Sequence, residues 1–318
     1  MSDSSRRASP ELAPANDWVQ VEFPDPLAAV GGDTAAVARH ASPAHGGGVL
    51  GRLGELLLWA VKRSRQRRQL YDLLYSMNWG DTTTNNYGFA PAEGSDPERF
   101  QVQLYDELLK LLGAATAKVA VRRVLEISCG RGGGLGFLAS RLQPMTLLVG
   151  LDFSAHAISF CRQRYSSSTN LRFIRGNALH LPFGASAFDV VVSVEASHAY
   201  RDDDTFLDEV ARVLRPGGRF LFADYRTRRK IHLLEELAHE TGLLGDLSDI
   251  TPNVVAACEL DAARRQELIR CGAPWYVRYL FSGGLARYSG MPGTCTFERF
   301  RTGERMYFMT CMTRAGIA

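Results

Sequence analysis

Residues 124–138, VLEISCGRGGGLGFL, contain the most informative pattern in the sequence. An apolar run ending in Glu126 leads into a turn that contains Gly130 and four further glycines, and a helical pattern follows. This order predicts a strand, a tight loop and a helix. Glycine allows the backbone to turn sharply and to approach a ligand closely. The spacing departs from the strict G-x-G-x-x-G of dinucleotide sites, so an ordinary tight turn is the alternative.

The rest of the chain continues in the rhythm of an α/β domain. Helical segments or loops separate five β-rich runs, which predicts parallel strands with right-handed crossovers. The runs are 122–127, 146–152, 171–176, 189–194 and 219–224. Pro216-Gly217-Gly218 is a turn that leads into the fifth strand. Residues 294–300 and 304–314, on either side of Thr302-Gly303, are expected to form a closing hairpin.

The chain divides into three regions by composition and periodicity. Residues 1–48 are rich in Ala, Pro, Gly, Ser and Asp without a period, which predicts a disordered leader. Residues 49–115 read as N-terminal helices and an active-site lid, and residues 116–318 as the core, with a helical insertion at about 228–275. The helix at 50–76 carries a basic run that has two readings, a solvated face or contact with an anionic membrane surface.

Composition limits the function classes. A net charge of +3 over 318 residues gives no reason to expect a nucleic-acid partner. The N-terminus lacks a secretory signal and no apolar run reaches the length of a membrane span, so a cytoplasmic location is expected. The six cysteines form no C-x-x-C pair, and no acidic cluster follows the fourth strand, so no metal is expected.

Polar residues at strand ends indicate the ligand. Asp152 closes the second strand 22 residues after Gly130, where a carboxylate can accept both ribose hydroxyls. Asn177 closes the third strand and can hydrogen-bond a base edge. Glu126 can reach a positive amino group but would repel a pyrophosphate. The set favours a nucleoside joined to an amino acid, such as S-adenosylmethionine.

Five motifs together resemble those of class I S-adenosylmethionine-dependent methyltransferases. They are E-x-x-C-G-x-G-G-G, the Asp152 position, GNALHLPF, FDVVVSVEASHAY and VARVLRPGGRFLFAD. Within that class the chain most resembles bacterial fatty-acid and polyketide O-methyltransferases and the mycobacterial phthiotriolone and phenolphthiotriolone dimycocerosate methyltransferases, over roughly residues 70–315. The resemblance implies a Rossmann-like three-layer α/β sandwich. Its sheet would be mixed, mostly parallel and seven-stranded, with N-terminal helices and a helical lid insertion.

The resemblance also implies which residues bind the cofactor. It assigns Glu126, Gly130 and Gly132 to the methionine portion and Tyr105 to the neighbourhood of its carboxylate. The residues it assigns to ribose and adenine are Asp152, Phe153, Asn177 and Ala178. Ser128 is also expected to bind the cofactor. Two positions depart from the family pattern: Ser128 replaces the usual first glycine of the loop, and Asn177 replaces the usual aspartate.

His198, which follows the fourth strand in VEASHAY, is the candidate general base. Histidine titrates near pH 6.5, which suits proton removal from a hydroxyl at neutral pH, although a purely pocket-shaping histidine is the alternative. Glu195 is expected to orient His198 or to line the cofactor site. The remaining candidates for contact with the methyl acceptor are Trp79, Tyr87, Tyr200, Asp224 and Tyr225. Trp275-Tyr276 is expected to help roof this pocket.

The spacing of the motifs predicts a protein that uses S-adenosylmethionine. The resemblance implies an O-methyltransferase that acts on a hydroxyl of a polyketide- or lipid-like secondary metabolite. Three alternatives stay open. The acceptor could be a carboxylate, which is ionised at neutral pH and would make His198 a binding residue only. The chain could methylate carbon or nitrogen on the same scaffold. It could also bind S-adenosylmethionine without turnover.

Overall fold

The computed structural model of the protein describes residues 71–115 and 121–316. The predicted leader at 1–48 and most of the basic helix at 50–76 lie outside the described residues, and residues 71–76 are helical. No helix within the described ranges is both long enough and apolar enough to cross a bilayer.

Five parallel strands form the centre of the sheet. They are β1 (Arg123–Ile127), β2 (Leu147–Asp152), β3 (Leu171–Arg175), β4 (Phe188–Val194) and β5 (Leu214–Arg226). The helices α1 (Arg99–Ala115), α2 (Gly133–Arg141), α3 (Ala155–Arg164) and α4 (Asp203–Val213) flank this part. Runs such as VLEI and VVVSV are buried along almost their whole length, as expected for strands covered on both faces. All five predicted strands are confirmed.

The C-terminal part completes the sheet with antiparallel pairing. Its elements are α5 (Arg228–Glu240), β6 (Leu243–Leu244), β7 (Ser248–Asp249), α6 (Thr251–Leu260), α7 (Ala262–Gly272), α8 (Trp275–Tyr288), α9 (Cys295–Arg301) and β8 (Met306–Arg314). The order is β3-β2-β1-β4-β5-β8-β6, with β7 pairing with β8 off this path. The predicted mixed, mostly parallel Rossmann-like sheet is confirmed, and β7 adds an eighth strand to the seven expected.

The predicted closing hairpin is wrong in its first half, because residues 294–300 are mostly helical. Thr294 caps α9 through its side-chain oxygen, which accepts a hydrogen bond from the Phe297 amide. Phe297 and Phe300 are both buried, and a spacing of three residues places them on one helix face. The alternation of Thr and Phe imitated a strand, but burial of the two rings requires the helical period. The helical region therefore extends beyond residue 275, to Arg301.

The fifth strand begins earlier than its apolar run suggested. Leu214 already pairs with Phe188, but regular pairing resumes only at Arg219, opposite Val190. Pro216-Gly217-Gly218 lies in the resulting irregularity, and Gly217 has a φ of 73°. The predicted turn is thus a bulge inside β5 rather than a connection before it.

The glycines at the start of α2 allow close packing by the protein itself. A Cβ on Gly134 would lie 2.1 Å from the ring of Tyr105 on α1, and one on Gly133 would lie 2.5 Å from Thr83 Oγ1. The Gly133 amide also donates to the Thr83 carbonyl at 3.1 Å. At these two positions glycine makes room for α1 and for the loop around residue 83, and not for a ligand as the sequence suggested.

This packing predicts opposite effects for two Gly→Ala substitutions. Gly134→Ala should lower the free energy of unfolding by about 1–3 kcal/mol, because Tyr105 must move. Gly113→Ala has no atom within 4 Å of its new Cβ and lies inside α1. It should raise the free energy of unfolding, by up to about 1 kcal/mol. Urea denaturation followed by circular dichroism measures both changes, and equal effects at the two positions would contradict the packing argument.

Candidate functional site

Two neighbouring cavities lie at the carboxyl edge of the parallel strands, on either side of the point where the strand order reverses between β1 and β4. This edge is where ligands bind in open α/β sheets. We call the two cavities the Asp152 cavity, with a volume of about 310 Å³, and the His198 cavity, with a volume of about 160 Å³. Four residues line both: Tyr71, Tyr75, Asn85 and Glu195. The two cavities therefore share one wall.

Six of the ten predicted cofactor-binding residues line the Asp152 cavity. They are Ser128, Asp152, Phe153, Asn177, Ala178 and Glu195. The buried carboxylate of Asp152 accepts hydrogen bonds from the Gly130 amide at 2.9 Å and the Ser154 amide at 2.8 Å. These two amides fix its orientation, and a carboxylate retains further lone pairs for a diol.

The far end of the Asp152 cavity combines apolar surface with one amide. Phe153, Ala178 and Leu179 supply the apolar surface. Asn177 follows β3, and its Oδ1 accepts from the Leu179 amide at 3.2 Å in a local turn. Because an amide group has two donors and a second lone pair, Asn177 can still pair with a base edge. A carboxylate for ribose and an amide with apolar surface for a base fit the adenosine part of S-adenosylmethionine.

The other four predicted cofactor residues do not line this cavity. Gly130 and Gly132 are part of the loop itself, whereas Tyr105 and Glu126 are buried behind it, with Glu126 only 1% exposed. Tyr105 Oη donates to Glu126 Oε1 at 2.7 Å, while Glu126 Oε2 has no hydrogen-bond partner among the described residues. Burial raises the pKa of Glu126 to about 7, although the hydrogen bond from Tyr105 opposes the shift. The expectation that Glu126 faces the ligand is corrected, since the side chain points to α1.

Ser128 and Tyr200 are paired across the Asp152 cavity. Ser128 has a φ of 58°, a conformation that usually favours glycine, and this explains why a glycine is common at its position. Its Oγ lies 2.6 Å from Tyr200 Oη. Tyr200 was expected in the acceptor pocket, but it lines the Asp152 cavity and not the His198 cavity. The chain turns at residues 197–199 and carries the ring back to that side.

His198 lines the second cavity and is hydrogen-bonded to Asp224. The distance between His198 Nδ1 and Asp224 Oδ1 is 2.8 Å, and the His198 amide donates to Asp224 Oδ2 at 2.9 Å. The imidazole stacks on Tyr225, with 4.3 Å between ring centroids. An ionised carboxylate can only accept, so Nδ1 carries the proton and Nε2 is the ring nitrogen left to accept another.

Asp224 is fully buried beneath His198 and lines neither cavity, so the expectation that it faces the acceptor is corrected. Ser197 Oγ donates to Asp224 Oδ2 at 2.7 Å, and Arg226 Nη1 lies 3.3 Å from the same oxygen. Burial alone would raise the pKa of this carboxyl, but the charges of His198 and Arg226 hold it well below its usual range. Asp224 is therefore the anionic partner of His198 and Arg226.

Glu195 was expected to orient His198, but it makes no hydrogen bond to that residue. Asp224 orients His198 instead. Glu195 Oε1 accepts from the Tyr87 amide and from Tyr307 Oη, the latter at 2.8 Å. Glu195 has a φ of 49°, and its side chain lies in the shared wall and not against His198 and Asp224. Burial raises the pKa of Glu195 to about 8 despite these two hydrogen bonds.

Aromatic side chains from outside the sheet border the His198 cavity. Trp79, Tyr87 and Tyr225, which were predicted to contact the acceptor, line this cavity. Trp275 and Tyr276, which were expected to roof it, are exposed and do not line it. Seven further lining residues were not among the predicted ones: Tyr71, Tyr75, Asn85, Arg131, Arg264, Arg265 and Tyr288. The two polar arginines on α7 were hidden in a charged run, but the spacing of Tyr71 and Tyr75 by one helical turn was a usable signal.

Within the part of the chain that the structure describes, no group of three or more His, Cys, Asp or Glu side chains is arranged to hold a metal ion.

Comparison with known proteins gives concordant similarities. Residues 125–222 match a family model described as a methyltransferase domain. A fatty-acid O-methyltransferase of Mycolicibacterium smegmatis is 34% identical over 255 residues, which span 80% of this chain and 88% of that protein. A phthiotriol/phenolphthiotriol dimycocerosates methyltransferase of Mycobacterium tuberculosis is 36% identical over 227 residues, or 70% of this chain and 80% of that protein.

Solved structures agree on the fold. The cyclase SpnF matches with a TM-score of 0.61 at 18% identity, covering 79% of this chain and 96% of its own. A geranyl diphosphate C-methyltransferase from Streptomyces coelicolor A3(2) matches with a TM-score of 0.56 at 18% identity, covering 78% and 97%. At such identities the likeness establishes the architecture.

The burial of Glu126 predicts a specific pH dependence of stability. Its pKa is about 7 in the folded protein against an ordinary 4.5, so its contribution is fully present below about pH 4.5 and is lost as the pH rises through about 7. Relative to Glu126→Gln, the ligand-free wild type should lose about 2 kcal/mol of unfolding free energy between about pH 5.5 and 8.5. Denaturant titrations at both pH values measure the difference.

The exposed Glu93 provides the matched control. Glu93→Gln should follow the wild type at both pH values. If Glu126→Gln also follows the wild type, Glu126 does not titrate in this range.

Proposed function

The chain belongs to the S-adenosylmethionine-dependent methyltransferases, and we propose that it transfers a methyl group to a hydroxyl oxygen of a lipid- or polyketide-like small molecule. The hydrogen bond between His198 Nδ1 and Asp224 Oδ1, 2.8 Å long at the edge of the second cavity, is the observation that carries this proposal. A hydroxyl acceptor needs a group that removes its proton, and a histidine held by a buried carboxylate is such a group.

The first part of the proposal concerns the cofactor. S-adenosylmethionine supplies a methyl group on a positively charged sulfur, which is activated for transfer to a nucleophile. Asp152 would hold the ribose hydroxyls, and Asn177, Ala178 and Phe153 would hold the adenine. Ser128 and Glu195, at the side of the Asp152 cavity nearer the shared wall, would face the methionine portion. The free lone pairs of Asp152 and the polar groups of Asn177 support these roles.

The second part concerns the base. With the proton of Nδ1 directed to Asp224, Nε2 of His198 would accept the hydroxyl proton of the acceptor. The imidazolium that results would be stabilised by the Asp224 carboxylate, which stays ionised beside it. Ser197 and Arg226 would act as positioning residues, because they hold Asp224 and do not line either cavity.

The third part concerns the acceptor. Apolar and aromatic side chains make up much of the His198 cavity, including Leu74, Trp79, Leu268, Ile269 and Leu285. Such a lining favours an apolar ligand. The names of the two mycobacterial relatives, which refer to a fatty acid and to phthiotriols, support a lipid-like acceptor.

One observation favours a second candidate, methyl transfer to a carboxylate with formation of an ester. Arg131, Arg264 and Arg265 line the same cavity as His198. Cationic side chains suit an anionic acceptor, and a carboxylate at neutral pH needs no base. In that case His198 would bind the acceptor without taking a proton.

Substitution of His198 or of Asp224 tests whether His198 acts as the general base. His198→Ala should lower the rate of methyl transfer by about 10²- to 10⁴-fold, because proton removal is lost, while the affinity for S-adenosylhomocysteine stays within about twofold of the wild type. Asp224→Asn should also lower the rate of methyl transfer, since the amide cannot stabilise the imidazolium. His232→Ala, at an exposed histidine of α5, is the control and should be fully active.

The assay uses methyl-labelled S-adenosylmethionine with an organic extract of the producing cells, and calorimetry measures the binding. Full activity of His198→Ala would exclude the base mechanism. Alkali treatment of the labelled product separates the two candidate functions, since a methyl ether is stable and a methyl ester is hydrolysed.

A further inference from the structure

Arg131 occupies an unusual position in the glycine loop. It stands between Gly130 and Gly132 in the turn that follows β1, and the residue is only 7% exposed. The side chain lines the His198 cavity together with Thr82, Thr84 and the shared residue Asn85. A cation is thus placed inside the site by the loop that characterises the fold.

The contacts of Arg131 with the described residues include no carboxylate. Nη2 donates to the Gly80 carbonyl at 2.6 Å, and the guanidinium lies over the Phe160 ring at 3.6 Å. Nε is buried and has no hydrogen-bond partner, and no carboxylate in the described ranges lies within ion-pair distance. Burial lowers the pKa of this guanidinium. Burying a charge without a counter-ion is costly, so such an arrangement persists when a ligand supplies the missing anion.

Two acidic groups, Glu98 and Asp81, act on Arg131 through their charge, but neither forms an ion pair with it. The Glu98 carboxylate accepts hydrogen bonds from the amides and hydroxyls of Thr83 and Thr84, at 2.5 to 3.0 Å. Glu98 therefore serves to hold the loop that covers α2. Asp81 acts on Arg131 only through its charge, without an ion pair.

The other two cations of the His198 cavity are each paired with a carboxylate of the protein. Arg264 and Arg265 share the carboxylate of Asp261, with distances of 2.6 and 3.0 Å. Arg265 is further held by the carbonyls of Tyr87 and Ser289. Among the three arginines that line the cavity, Arg131 is the one without a carboxylate partner in the described part of the chain.

We propose that Arg131 is the binding residue for a carboxylate group of a ligand. A planar guanidinium whose Nε has no hydrogen-bond partner among the described residues matches a carboxylate in charge and geometry. Two sources can supply this group: the carboxylate of the methionine portion of the cofactor, or an acidic acceptor in the His198 cavity. The loop of Arg131 borders both cavities, since Ser128 lines the one and Arg131 the other. The second source rests on the ester-forming function considered above.

Binding measurements without turnover test the proposal and separate the two sources. Calorimetry compares S-adenosylhomocysteine with its decarboxylated analogue, and then dodecanoate with dodecanol in the presence of S-adenosylhomocysteine. Arg131→Gln should weaken binding of one carboxylate ligand by about 10- to 100-fold and leave its uncharged partner within about twofold. Arg131→Lys, which keeps the charge, should lose less. Arg141→Gln, at an exposed arginine of α2, is the control and should bind all four ligands like the wild type.

The outcomes are distinct. If Arg131→Gln weakens binding of S-adenosylhomocysteine only, Arg131 binds the carboxylate of the methionine portion. If it weakens binding of dodecanoate only, Arg131 binds the carboxylate of the acceptor. If Arg131→Gln discriminates in neither pair, the proposal is wrong. Should that variant not fold, the wild type alone decides, because the absence of any preference for the carboxylate member of both pairs excludes the site. Methyl transfer is not measured here, so failure of the proposed function would leave the cofactor arm intact.

Discussion

The site is organised around one buried carboxylate, Asp224. It accepts hydrogen bonds from the ring and the main chain of His198, from Ser197 and from the Tyr225 amide, and it lies next to Arg226. These contacts join the turn after β4 to the end of β5. A buried charge is tolerated when it is paired and fully hydrogen-bonded, and the orientation of His198 is thereby fixed by the same contacts that stabilise the sheet edge.

The architecture could be predicted from the sequence to a large extent, because buried parallel strands leave an unmistakable apolar pattern. The runs VLEI and VVVSV are nearly continuous in apolar residues and bounded by turn residues, which left few alternatives. Residues 294–300 show where the pattern is insufficient. A short segment with two phenylalanines is compatible with both the strand period and the helical period. The hydrogen bond from the Phe297 amide to the Thr294 side chain, which caps the helix, is not visible in the apolar pattern.

The site could be predicted where position along a strand determines direction. Asp152 and Asn177 follow strand ends and lie in one cavity, because parallel strands end at one edge. After β4 the chain leaves the strand in an irregular turn, where Glu195 has a positive φ and Tyr200 returns to the opposite cavity. Side-chain direction in such a turn does not follow a period. The sequence therefore could not show that Asp224, and not Glu195, is the carboxylate that orients His198.

The wall shared by the two cavities limits how relatives of this protein can diverge. Tyr71, Tyr75, Asn85 and Glu195 face both sides, so a substitution chosen to accommodate a new acceptor at any of them also alters the space next to the donor. Leu268 and Ile269 on α7 and Leu285 on α8 face the His198 cavity only. New acceptor specificities can therefore arise through these two helices, while the shared wall is constrained by two ligands at once and should change slowly during evolution.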